Sequence, residues 1–99
     1  MSLAQQIQGP IRCLKILREY YIPVLENRKT FEIRSNDRDY QVGDTLVLRE
    51  LVNNRYTGRA LAAVVTYMTD YAQRPGYVVL GIEKVYRPDE WFKAVIKFG

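Results

Sequence analysis

The chain contains no histidine. That removes Ser-His and Cys-His triads, histidine general bases and the commonest zinc ligand. A single cysteine, Cys13, rules out an internal disulfide and leaves no zinc-type spacing. A reducing compartment, and so the cytoplasm, is the expected setting, with no metal and no cofactor. The 6 glycines are scattered and form no phosphate-cradling loop. No apolar run approaches the ~20 residues of a membrane-spanning helix, and "MSLAQQIQGP" lacks the basic and apolar regions of a signal peptide. Residues 1–10 therefore read as a loose leader, and residues 11–99 as a single domain.

What is present is apolar and mildly basic. With 99 residues, 47% of them hydrophobic, the chain has enough core for one domain and too little for two. The 15 basic and 11 acidic side chains leave +4, a modest bias toward polyanionic partners.

Along the chain, "IRCLKIL" (11–17) suits a first strand, with Arg12, Leu14 and Ile16 on one face and Ile11, Cys13 and Lys15 on the other. "REYYIPVLENR" (18–28) reads as a short helix. Pro23 fits only a first helical turn, so the helix proper is expected from about Ile22 unless the earlier part is a separate turn. Asn27 stands where the helix should stop, because Asn accepts the left-handed conformation of a helix end. Residues 29–34 follow as a strand, "SNDRD" and "GD" (43–44) as turns. Strands 45–51 and 58–69, joined by the loop "VNNRYTG", are expected to pair as a hairpin. Both faces of 60–68 are apolar, as in a strand buried inside a barrel. Residues 77–85 make a fifth strand, and "DEWFKAVIKF" after Pro88 is expected to be a helical turn leading into another. The fold class is α+β: a small β-barrel of five to six strands with one helix after the first.

"RKTFEIRSNDRDYQVGD" (28–44) crowds Lys29, Glu32, Arg34, Asp37, Arg38 and Asp39 around Phe31 and Ile33. Strand alternation sends Thr30, Glu32 and Arg34 to one face and Lys29, Phe31 and Ile33 to the other, with Phe31 and Ile33 marking the core side. Charges alternating with apolar residues fit either a solvated strand or a polar cleft that holds a ligand. In the second reading Lys29, at the strand's mouth, binds phosphate or a base carbonyl. "NDRD" also reads as a turn whose acids and Asn bond the backbone while Arg38 bridges two carboxylates. Tyr56, in the expected loop between Arg55 and Arg59, is a candidate for base stacking, whereas Tyr20 and Tyr21 read as core and rim of the helix.

"LKILREYYIPVLENRKTFEIRSNDRDYQVGDTLVLRE", with "YTGR", "VTYM" and "GYVVLGI" further on, resembles the ASCH superfamily, specifically its small DUF3850-type proteins, over residues 12 to about 83. The superfamily signature G-x-K-x-x-E-x-R is similar to Asn27-Arg28-Lys29-Thr30-Phe31-Glu32-Ile33-Arg34, with Asn in place of Gly. The resemblance implies a PUA-like β-barrel with a helix beside a cleft lined by Lys29, Glu32 and Arg34. It also implies binding of RNA there; in a binding module of that kind, taking RNA or a modified nucleotide, Arg38, Arg55 and Arg59 are expected to extend the positive path and Tyr56 to stack. Some relatives resemble amidohydrolases of acylated cytidine, which use a lysine, a threonine three residues on and a distant glutamate. Lys29 matches, but Glu32 occupies the threonine position, so in that alternative Lys29 and Glu32 are the catalytic candidates. A further departure is Arg12-Cys13-Leu14-Lys15, where relatives of this type often carry H-x-L-K.

Overall fold

β1 (Ile11–Leu17) runs directly into α1 (Arg18–Leu25), so the helix begins four residues earlier than Pro23 suggests. Pro23 lies within it and has no N–H to donate to the carbonyl of Glu19, four residues earlier. Its end is fixed by two bonds: Asn27 N–H donates to the Val24 carbonyl (3.0 Å) and Arg28 N–H to that of Pro23 (2.8 Å). This is the Schellman pattern, and Asn27 takes the left-handed conformation it needs, φ +60°. The structure, a computed structural model, describes residues 10–98. Most of the expected leader, 1–9, lies outside the described residues.

β2 (Phe31–Ser35), β3 (Thr45–Val52), β4 (Arg55–Thr69) and β5 (Tyr77–Val85) complete a five-stranded sheet in the order β1-β3-β4-β5-β2. β1 lies parallel to β3, reached by a crossover through α1, and the other pairs are antiparallel. The β3–β4 hairpin is tighter than the sequence suggests. Asn53 and Asn54 both hold positive φ (52° and 62°) and form the whole turn, so "RYTG" belongs to β4. Two irregularities bend β4: between Arg49 and Leu51 of β3 it inserts extra residues around Gly58 (φ +93°), and between Val65 and Tyr67 it bulges at Thr66.

The sheet curls into a half-barrel. Leu14, Ile16, Leu46, Leu48, Leu61, Val65, Val78, Leu80 and Ile82 fill its inner side with Tyr21 and Val24 of α1 and with Tyr40. On the outer side Val47 and Ala62 are covered by Trp91 and Val95, so β3 and the middle of β4 are buried on both faces; the two-sided burial expected of 60–68 stops at Val65, because Thr66 and Tyr67 are exposed. The C-terminal segment departs from expectation: Asp89–Phe98 is one helix, α2, with no closing strand. The apolar outer face of β3 and β4 needs a cover, and residues four apart on a helix supply it. Among the described residues the fold thus has two helices. Among the described residues no helix is long and apolar enough to cross a membrane.

Leu80 is fully buried in the inner cluster. Leu80→Ala is expected to destabilise the domain by roughly 2–5 kcal/mol, read from the urea midpoint at constant m.

Candidate functional site

β2 faces the opposite way to the phase read from its sequence. Phe31 and Ile33 are 42% and 51% exposed, whereas Glu32 is buried at 5%. The reason is pairing: Glu32 stands opposite Leu80, which stands opposite Met68, and that row faces the inner cluster. The strand starts only at Phe31, so Lys29 and Thr30 belong to the link from α1 and lie outside its alternation. Lys29 therefore turns back onto Glu32 instead of pointing away from it, and its Nζ bonds both a Glu32 carboxylate oxygen and the Phe31 carbonyl.

A carboxylate buried here needs partners. The second oxygen of Glu32 accepts from Arg34 Nε at 3.0 Å, and Arg34 NH2 continues to the Lys15 carbonyl at 2.8 Å. That carbonyl belongs to the free edge of β1. Arg38 does the same one pair of residues earlier, donating to the Cys13 carbonyl at 3.2 Å. The seam between the sheet's two edges, β1 and β2, is thus bridged by arginine side chains. Among the described residues Arg38 bonds the Cys13 carbonyl and does not join two carboxylates. In its turn the backbone-bonding role falls to Asn36, whose Oδ1 accepts from Tyr40 N–H at 3.0 Å, while Asp39 (φ +50°) accepts from the Gln41 side chain.

Two clefts flank the Glu32–Arg34 pair. One, of about 370 Å³, is lined by Tyr20, Lys29, Phe31, Glu32 and Ile33; the Lys29 ammonium lies 4.9 Å from the Phe31 ring centre and 5.6 Å from that of Tyr20. The other, of about 270 Å³, lies at the seam and gathers Lys15, Arg34, Arg38, Tyr40 and Tyr56 beside the Cys13 backbone. Burial raises the Tyr40 hydroxyl and the Cys13 thiol above their ordinary pKa values, so both stay protonated at neutral pH. Tyr56 is a strand residue, not a loop residue, and its ring carries the Arg49 guanidinium 3.6 Å from its centre.

Arg59 stands apart from this group. The irregularity in β4 sets Thr57 and Arg59 opposite Glu50 of β3, which is completely buried. Glu50 accepts from Thr57 Oγ1 (2.6 Å), from Arg59 Nε and NH2 (2.9 and 2.8 Å) and from Arg18 Nε of α1 (3.1 Å). The Arg59 hydrogen bonds, helped by those of Thr57 and Arg18, outweigh burial and push the Glu50 carboxyl down to about 2. Arg59 also sits 5.1 Å over the Tyr21 ring and lines a separate cleft with Phe92 and Ile96. Sequence reasoning missed Glu50. Its one signal was a lone acid in the apolar strand "TLVLREL".

Residues 11–82 match a family described as a domain of unknown function, DUF3850. The chain belongs to the DUF3850 family. An uncharacterized 12.9 kDa protein in the GpA 3′ region of Escherichia phage P2 is similar to it, 44% identical over 64 residues, which is 65% of this chain. The chain spans 59% of that phage protein's length. The matched DUF3850 segment includes β1, α1, β2 and both Glu32 and Glu50, and it stops before α2.

Of the residues singled out in this DUF3850 domain, the fold joins Lys29, Glu32 and Arg34 directly and adds Arg38 and Tyr56 through the seam cleft. It ties Arg59 to Glu50 instead. Because the Glu50 carboxyl is depressed in the folded state, its stabilisation is complete above the unfolded value near 4.5 and is lost as pH falls from there toward 2. Unfolding midpoints measured across that window should decline for the wild type and stay flatter for Glu50→Gln. At neutral pH Glu50→Gln should be less stable, by less than the roughly 3–5 kcal/mol of a fully buried broken pair, because Arg18 and Arg59 are half-exposed and rehydrate.

Proposed function

We propose that this domain binds single-stranded RNA, or a nucleotide unit of it, across the two clefts beside Glu32 and Arg34, in the manner expected of an ASCH, PUA-like barrel. One observation carries the reading: a single buried carboxylate holds two cations, and each cation opens onto its own cleft. Both Glu32 oxygens are occupied, so its role is to orient Lys29 and Arg34 rather than to read a base. Arg34, Arg38 and Lys15 are the groups for phosphate or base acceptors at the seam. Tyr56, already under Arg49, offers a face for stacking. The net charge of +4 and the half-buried Cys13 agree with an anionic partner in a reducing, cytoplasmic setting.

An amidohydrolase of an N4-acylated cytidine is the second reading, and contact between Lys29 and Glu32 favours it. Such a pair can pass a proton. Against it, none of the described residues that line that cleft is a Ser or Thr that could act as nucleophile.

Fluorescence anisotropy with a labelled single-stranded RNA should show affinity that falls with salt. Lys29→Ala and Arg34→Ala should each weaken binding and flatten the log–log salt slope by ~0.7 per lost phosphate contact. Incubation with N4-acetylcytidine should release no cytidine; fast release that Lys29→Ala and Glu32→Gln both abolish would replace the binding reading with the hydrolase.

A further inference from the structure

The outer face of the sheet is covered over only part of its width. α2 lies on β3, β4 and the end of β5 at Val47, Ala62 and Val85, while among the described residues Phe31 and Ile33 of β2 and Tyr67 near the end of β4 are exposed. A row crosses this exposed part in register: Phe31 of β2 opposite Gly81 of β5, and Gly81 opposite Tyr67 of β4. Phe31 is 42% exposed and Tyr67 64%. Two local features build the row. The bulge at Thr66 resets the alternation of β4, so that Val65 and Met68 face inward and Tyr67 faces out; without it Tyr67 would enter the core. Gly81 leaves the floor between the two rings bare, and a Cβ there would come within 3.2 Å of the Tyr67 Cβ. Phe31 and Tyr67 stand two strands apart, about 10 Å at their backbones, and side chains stand roughly perpendicular to the sheet. Two exposed aromatic side chains thus flank a glycine, a slot whose floor carries no side chain.

We infer that this slot stacks an unpaired base of the same nucleic-acid strand whose phosphates occupy the Lys29 and Arg34 clefts, an inference that rests on the function proposed above. Continuity and charge select this occupant. Phe31 and Ile33 line both the slot's border and the Lys29 cleft, and the Lys29 ammonium lies over the Phe31 ring. A base between Phe31 and Tyr67 therefore has a fixed cation beside it for its own phosphate. Stacking platforms next to a cationic track are how single strands are held without sequence readout, so the slot takes any base.

The test uses Tyr67, which lines neither cleft. Binding of fluorescein-labelled oligoadenylate and oligouridylate of about ten nucleotides is followed by anisotropy for wild type, Tyr67→Ala, Tyr67→Phe and, as a control away from the slot, the exposed Tyr86→Ala. Tyr67→Ala should weaken both RNAs roughly 5- to 100-fold, the loss of one stacked base, with an unchanged salt slope and an unchanged melting temperature. Tyr67→Phe and Tyr86→Ala should bind as wild type. RNA affinity that survives Tyr67→Ala but is lost in Lys29→Ala would overturn the slot and leave the cleft reading standing. If the wild type binds neither RNA, the proposed function falls and the slot falls with it. Concentration-dependent dimerisation in sedimentation runs, abolished by Tyr67→Ala, would overturn the inference in favour of a second copy covering this face.

Discussion

A carboxylate on the inner side of a curled sheet is stable only if its charge is met, and the arrangement around Glu32 follows from that requirement. Lys29 can reach it because the Schellman turn at Asn27 brings the chain off α1 and aims residue 29 back toward the sheet. Arg34 reaches it from two positions along the strand through Nε and gives one N–H of NH2 to the β1 edge. One buried acid thereby fixes the exit from α1, the phase of β2 and the closure of the seam. Both clefts are consequences of the same contacts.

Glu50 plays a parallel part on the other side of α1. Arg18 ties it to the start of the helix, while Thr57 and Arg59 tie it to the irregular stretch of β4. The two buried acids hold α1 at both ends: Glu50 through Arg18, and Glu32 through Lys29 just past the last turn. Tyr20 and Tyr21, adjacent in sequence, consequently face different surroundings, Tyr20 toward Lys29 and Tyr21 into the core under Arg59.

The bends in β4 have functional weight because each one changes which side chains share a face. The extra residues around Gly58 bring Thr57 and Arg59 onto one carboxylate, and the bulge at Thr66 presents Tyr67 beside Gly81. Bulges also increase strand twist, which suits a half-barrel whose edges must approach each other.

Local chemistry in the sequence determined much of this. Asn27 ends α1 and Asn53-Asn54 turn the hairpin, since these residues accept positive φ wherever they sit. The apolar alternation of β3, β4 and β5 placed Leu46, Leu48, Val65, Val78, Leu80 and Ile82 in one core. The K-x-x-E-x-R spacing marked the residues that do come together. The tertiary structure alone decided how they come together. Counted from Lys29, strand alternation puts Lys29 and Glu32 on opposite faces, but the phase of β2 is set by its pairing with β5 and by the charges that allow Glu32 to be buried. Likewise the C-terminal segment could be a strand or a helix until the bare outer face of β3 and β4 required a cover, and a lone Glu50 in an apolar strand had no visible partners until the irregularity in β4 supplied them. Face, phase and partnership depend on neighbours distant in sequence, and a single strand read alone contains none of them.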